Sequence, residues 1–260
     1  MIDLATTSRE AHIDVDGRTI VITIDRPSAR NAMTLDVAQA IAAALDLLDS
    51  SDDLTTGVLT GAGGTFCAGM DLKELAAGRR ATVPGRGFGG LVEAPPRKPL
   101  IAAVEGCAFG GGFELMLACD MVVAGEGATF ALPEVKRGLI ARGGGALRLP
   151  TRLPRTIALE LLLTGQPISA QRAEHFGLVN EVVPDGGALA SALALAGTIG
   201  ANGPLAVSVT KQIVTDSEAW APGEMFARQE PLVTPVFSSD DAAEGVSAFR
   251  EKRAPVWTGR

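Results

Sequence analysis

Residues 105–120 read EGCAFGGGFELMLACD. An apolar run, PLIAAVEG at 99–106, leads into this stretch, and three glycines at 110–112 separate it from FELMLACD (113–120), which has the apolar content of a buried helix. MVVA (121–124) follows as another buried strand. Strand, glycine turn, helix and strand in this order predict a largely parallel α/β sheet, with function gathered at the strand ends. Upstream, GVLTG (57–61) repeats the pattern by running into GAGGTFCAG (61–69).

Working outward, IDVDGRTIVITIDR (13–26) reads as a hairpin turning at Asp16-Gly17, with Ile20, Ile22 and Ile24 alternating with Val21, Thr23 and Asp25. Thr34 is an N-cap for a helix over about 35–49, where Leu35, Ala38, Ile41, Ala42, Leu45 and Leu48 have helical spacing. Beyond residue 143 the pattern turns helical, at 143–149, 154–164, 169–176, 186–201, 203–219 and 238–252. One strand, LVNEVV (178–183), interrupts it. The segment 78–99, GRRATVPGRGFGGLVEAPPRKP, has five glycines and four prolines and is expected to be too broken for regular structure, a mobile surface segment or lid.

Composition excludes several classes. With 260 residues and 47% hydrophobic content the chain can bury a substantial core, and 20% charged residues argue against disorder. A net charge of -7 argues against a nucleic-acid partner. No apolar run reaches the roughly 20 residues of a membrane helix. The N-terminus, MIDLATTSREAHIDVDG, is acidic and lacks the apolar stretch of a secretory signal, so a cytoplasmic protein is expected. Cys67, Cys107 and Cys119 have no metal-ligand spacing and read as reduced thiols. With only His12 and His175 besides, no metal site is expected, and the absence of tyrosine removes that proton donor.

Three stretches carry candidate chemistry. In GAGGTFCAGMDLKE (61–74), glycines free backbone N–H groups near a helix start at Asp71; the alternative is a turn simply capped by Asp71. In 105–120, Glu114 follows the triple glycine among Phe113, Leu115, Met116 and Leu117, where it either serves the helix dipole or is buried for a purpose. In ATFALPEVKRGLIARGGG (128–145), Glu134 sits between Pro133 and Val135, with Lys136 and Arg137 as alternative partners. Together, two glycine turns aiming N–H groups at one carbonyl oxygen and two carboxyls in apolar settings are equipment for stabilising an enolate and moving a proton beside a thioester. Cys67, Cys107 and His175 read as structural.

These residues carry a resemblance. IDRPSARNAMT (24–34), GTFCAGMDLKE (64–74), PLIAAVEGCAFGGGFELMLACD (99–120), ATFALPEVKRGLIARGGGALRLP (128–150), GLVNEVV (177–183) and FREKRAPVWTGR (249–260) resemble, in order, the crotonase superfamily of enoyl-CoA hydratases and isomerases. The resemblance implies an α/β fold with a ββα spiral core over 1–200 and a C-terminal helical trimerisation region over 201–260, in a homotrimer or dimer of trimers. It implies an oxyanion hole from the N–H groups of Met70 and Gly111, and an acid/base pair of Glu114 and Glu134. Glu114 would act on water and Glu134 on the α-proton, hydrating a 2-enoyl-CoA. Coenzyme A would lie along Ala68, Met70, Asp71, Leu72, Lys73 and Gly111, as part of the substrate and with no separate cofactor. Arg26 and Arg30 are further candidates for its phosphates.

Two departures matter. Ala141-Arg142-Gly143-Gly144-Gly145 stands where the family often has Pro-Gly-Ala-Gly-Gly, so Arg142 either enters the acyl pocket or faces solvent. AFGGGFEL with FALPE resembles the carnitinyl-CoA dehydratase branch, whose quaternary ammonium substrate wants aromatic or acidic company. That branch, an isomerase and a non-catalytic acyl-CoA-binding protein remain the alternatives.

Overall fold

The computed structural model describes residues 10–260; most of the N-terminal stretch read above as lacking a leader, 1–9, lies outside the described residues. Strands β1 (Ala11–Asp16) and β2 (Thr19–Ile24) form the expected hairpin, and helix α1 (Leu35–Ser50) follows, with the Thr34 hydroxyl accepting from the Val37 N–H at 3.2 Å. Strand β3 (Thr56–Gly61) precedes the short α2 (Leu72–Ala76), and β4 (Thr82–Val83) and β5 (Gly87–Phe88) make a small hairpin. Next come β6 (Leu100–Val104), β7 (Cys107–Phe109), α3 (Gly111–Ala118), β8 (Met121–Gly125) and β9 (Thr129–Ala131). The remaining elements are α4 (Gly145–Arg152), α5 (Arg155–Thr164), β10 (Ile168–Ser169), α6 (Ala170–His175), β11 (Glu181–Val183), α7 (Ala188–Gly200), α8 (Pro204–Ser217), α9 (Met225–Phe237) and α10 (Asp240–Glu251).

The main sheet runs β1-β2-β3-β6-β8-β11, antiparallel only between β1 and β2. Its inner strands are covered on both faces, which is why they read as unbroken apolar runs. Along β6 the two faces alternate: Leu100, Ala102 and Val104 join the core shared with α1 and α3, while Ile101 and Ala103 meet Ala188, Ala192 and Ala196 of α7. At Gly106, with φ +61, the chain leaves this sheet and enters a second one, β10-β9-β7, which carries the glycine turns.

Segment 78–99 corrects its expectation. It contains the β4–β5 hairpin and buries Ala81, Leu91 and Val92. Glycine is what lets it pack: a Cβ on Gly90 would meet Ala38 O at 2.1 Å, and one on Gly89 would meet Leu115 Cδ2 at 2.4 Å. Helix α9 lies inside the C-terminal region expected to be helical, but in the gap between the individual segments 203–219 and 238–252. Pro231 and Pro235 lie inside it, and proline normally argues against a helix interior.

Asp120 accepts from both the Leu100 N–H at 2.7 Å and Lys211 Nζ at 2.6 Å, tying α8 to the sheet. The buried Asp241 carboxylate accepts from the N–H groups of Thr258 and Gly259, stitching the C-terminal tail onto α10. Among the described residues no single helix is long and apolar enough to cross a membrane.

Candidate active site

The two glycine-rich turns lie side by side. Cys67 N–H donates to Cys107 O and Phe109 N–H to Cys67 O, both at 3.0 Å, so 67–70 runs parallel to 107–111. The backbones are too close for side chains: a Cβ on Gly112 would meet Cys67 O at 2.1 Å, and one on Gly69 would meet Phe109 O at 2.8 Å and Gly111 N at 3.2 Å. Gly69 also has φ +96, a conformation that L side chains rarely adopt. This contact brings Met70 beside Gly111, the first residue of α3, where backbone N–H groups lie at the positive helix end. Met70 pairs with Met33 on its other flank, with Met33 N–H donating to Gly69 O and Asp71 N–H to Met33 O. Among the described residues neither the Met70 nor the Gly111 N–H donates to a protein acceptor.

Glu114 sits in the first turn of α3 and is 4% exposed. Its Oε1 accepts from the Gly145 N–H at 2.9 Å. Burial is the main reason that its carboxyl is pushed up to about 7, opposed by the Gly145 N–H and reinforced by the Glu134 charge; Gly143 and Arg148 act in the lowering direction. Glu134 belongs to the 3-10 turn Pro133–Arg137, and burial raises its carboxyl too. Its Oε2 is buried with no hydrogen-bond partner among the described residues, and its Oε1 would lie 3.1 Å from a Cβ on Gly110. Neither Lys136 nor Arg137 forms an ion pair with it. The two carboxyls thus flank the glycine turns; the Glu134 charge acts on Glu114, while the Arg137 charge pulls Glu134 in the lowering direction.

The residues expected along the coenzyme divide. Leu72, 68% exposed, and Lys73 present their side chains to solvent, and Ala68 holds its place by donating its N–H to Arg30 O at 3.0 Å. Asp71 is fully occupied: it caps α2 by accepting from the Lys73 and Glu74 N–H groups and pairs with Arg26 Nη2 at 3.0 Å. Burial pushes its carboxyl up, and these hydrogen bonds outweigh that and leave it below the ordinary range. Arg26, bound to Asp71, Glu10 and Ala32 O, is a structural cation here rather than one held out for phosphate. Arg30 is exposed at φ +50.

Two residues escaped the sequence reading. Asn31 is buried at φ +55; its Nδ2 donates to Ala62 O and Thr65 O while its Oδ1 accepts from the Arg26 N–H, clamping the 26–34 loop onto the first glycine turn. Its presence inside RNAMT was the available signal. Arg148 is the cation acting on Glu114, whereas Arg142 is exposed and takes part in no hydrogen bond or ion pair among the described residues. Burial drives the Cys67 and Cys119 thiols up to about 12, as fits packing residues. His175 lies on the surface against Phe176.

Paired N–H donors beside one buried and one half-buried carboxyl are the parts needed to polarise a carbonyl and shuttle protons next to it. Comparison with known proteins agrees with this class of site. The enoyl-CoA hydratase/isomerase family model matches residues 15–260, and the chain belongs to that family. It is 44% identical to enoyl-CoA hydratase EchA19 of Mycobacterium tuberculosis, covering 96% of this chain and 97% of that protein. It is 42% identical to carnitinyl-CoA dehydratase of Salmonella typhi, covering 97% of this chain and all of that protein. Among solved structures, enoyl-CoA hydratase EchA1 of Mycobacterium marinum superposes with a TM-score of 0.96 at 52% identity, over 97% of this chain and 100% of that one.

Proposed function

We propose that this protein is an enzyme that adds water reversibly across the double bond of 2-enoyl-CoA thioesters to give 3-hydroxyacyl-CoA. The observation carrying this reading is the pair of carboxyls, Glu114 buried and Glu134 half-buried, beside the Gly69–Gly111 contact. The thioester oxygen would accept from the Met70 and Gly111 N–H groups, drawing electrons from the conjugated double bond and stabilising the enolate. Glu114, anchored by Gly145, would take a proton from water as it attacks the β-carbon, and Glu134 would deliver the α-proton. Burial raises both carboxyls, and the Glu134 charge pushes Glu114 further up, which suits a pair working as one base and one acid. Coenzyme A would enter as part of the substrate along 68–73, with Lys73 as its cation, and no other cofactor is required.

A dehydratase of a substituted acyl-CoA is the second reading, favoured by the carnitinyl-CoA relative. The positive charge of Arg148, which acts on Glu114, disfavours a trimethylammonium group there. We further infer a cytoplasmic homotrimer or dimer of trimers acting in acyl-CoA breakdown, with 1–200 as catalytic core and 201–260 as the assembling region. Supporting assembly, α8, α9 and α10 border an apolar groove of about 490 Å³ beside the exposed Phe237 and Phe249. Loss of the conjugated absorbance of crotonyl-CoA, with binding of a saturated acyl-CoA measured alongside, separates hydratase from dehydratase and from mere binder.

A further inference from the structure

Arg148, half-buried on α4, reaches two places at once. Its Nη2 donates to Val92 O at 2.5 Å, joining α4 to the segment 78–99. Its Nη1 lies so close to Gly144 that a Cβ there would meet it at 2.3 Å. Gly144 has φ +99, so glycine is demanded by conformation as well as by space. The glycines on either side belong to Glu114: Gly145 donates to Oε1 at 2.9 Å, and a Cβ on Gly143 would come within 2.6 Å of Oε2. Three consecutive glycines therefore contact a guanidinium at the middle position and a carboxyl at the other two.

We propose that Arg148 is a positioning residue for Glu114, fastening the 143–145 loop to the Val92 carbonyl so that the Gly145 N–H stays on the carboxyl, and supplying the positive charge that faces it. This rests on the reading of Glu114 as the base. The charges around the pair are few: Glu134 acts on Glu114 from the 133–137 turn, while Arg152 on α4, Glu218 beyond α8 and the Cys119 thiol act on Arg148. Arg152 is itself held by Cys119 O at 2.7 Å. Arg148 is thus the cation that opposes the burial of Glu114, and burial correspondingly draws the guanidinium below its ordinary range.

The test is a 13C carboxyl NMR titration of Glu114 in the full-length protein, assigned through E114Q, for wild type, R148K, R148Q and R148M. The expected result is a Glu114 midpoint about one unit higher in R148Q and R148M, and close to wild type in R148K. The acid limb of kcat/KM on an enoyl thioester should move by the same amount, with R148K showing lower kcat at unchanged KM because lysine cannot span Val92 O and the loop together. An unchanged midpoint in folded R148Q or R148M overturns the proposal. A shifted midpoint in a protein that hydrates no enoyl thioester sustains the Arg148 coupling and rejects the hydratase reading instead.

Discussion

The Gly145 N–H donates to Glu114 Oε1 at 2.9 Å across 31 residues of sequence, and this bond is what a buried carboxyl at the start of α3 has in place of water. It is not enough to return the group to its ordinary range, since burial dominates and holds it at about 7. Between pH 4.5 and 7 the folded protein therefore binds more protons at this site than the unfolded chain, so the site lowers stability progressively as pH rises through that window. Replacing the group by glutamine, which still accepts from Gly145, removes the effect. E114Q should match wild type in Tm near pH 4.5 and melt higher at pH 8, where it is more stable by up to about 3 kcal/mol. Thermal melts across that range check the sign.

Gly69 tests the contact between the two turns. G69A forces a Cβ against Phe109 O at a positive φ and displaces the Met70 N–H. We expect kcat/KM to fall by about 10²- to 10³-fold, the usual effect of losing one oxyanion donor. G64A is the control: its φ is +73 but its surroundings are open, so it should cost about 1 kcal/mol and leave kcat/KM within a few-fold. Steady-state kinetics with paired melts distinguish the two.

Asn31 tests the clamp. N31A removes three hydrogen bonds and leaves buried backbone groups unpaired in a left-handed conformation, so about 2–4 kcal/mol of stability should go. Because the 26–34 loop also seats Ala68 and Met70 through Arg30 and Met33, KM for the thioester should rise in whatever fraction stays folded. Denaturant unfolding and Michaelis kinetics at low temperature measure both.

Cys67 lies in the first glycine turn, yet its thiol is buried and held near 12. Iodoacetamide should therefore leave Cys67 unmodified in the native protein at pH 8, as mapped by mass spectrometry, and C67A should keep kcat. Rapid native labelling with loss of activity would make the thiol functional.

The hairpin, α1 and the β6–α3–β8 unit were legible because their apolar spacing and turn residues are local. So were Glu114 and Glu134, each an acid standing among apolar neighbours. Their pairing came only through the family resemblance; in the fold it rests on β7 pairing with β9 and the Gly110 N–H donating to Ala131 O, which set the 133–137 turn beside α3, and such long-range pairing leaves no local mark in sequence. Proline and glycine, read as breakers, misled in both directions. They hid α9 behind Pro231 and Pro235, and they disguised segment 78–99, whose Gly89 and Gly90 are there so that it can pack against α3 and α1. Arg148 was passed over for Arg142 because only the fold decides which arginine turns inward.

Crotonyl-CoA turnover by wild type, E114Q and E134Q, followed as loss of the conjugated thioester absorbance, tests the roles of the two glutamates. Wild type should turn over and each variant should fall by about 10²- to 10⁴-fold, with saturated acyl-CoA still bound at wild-type affinity. Wild-type rates in either variant would contradict those roles.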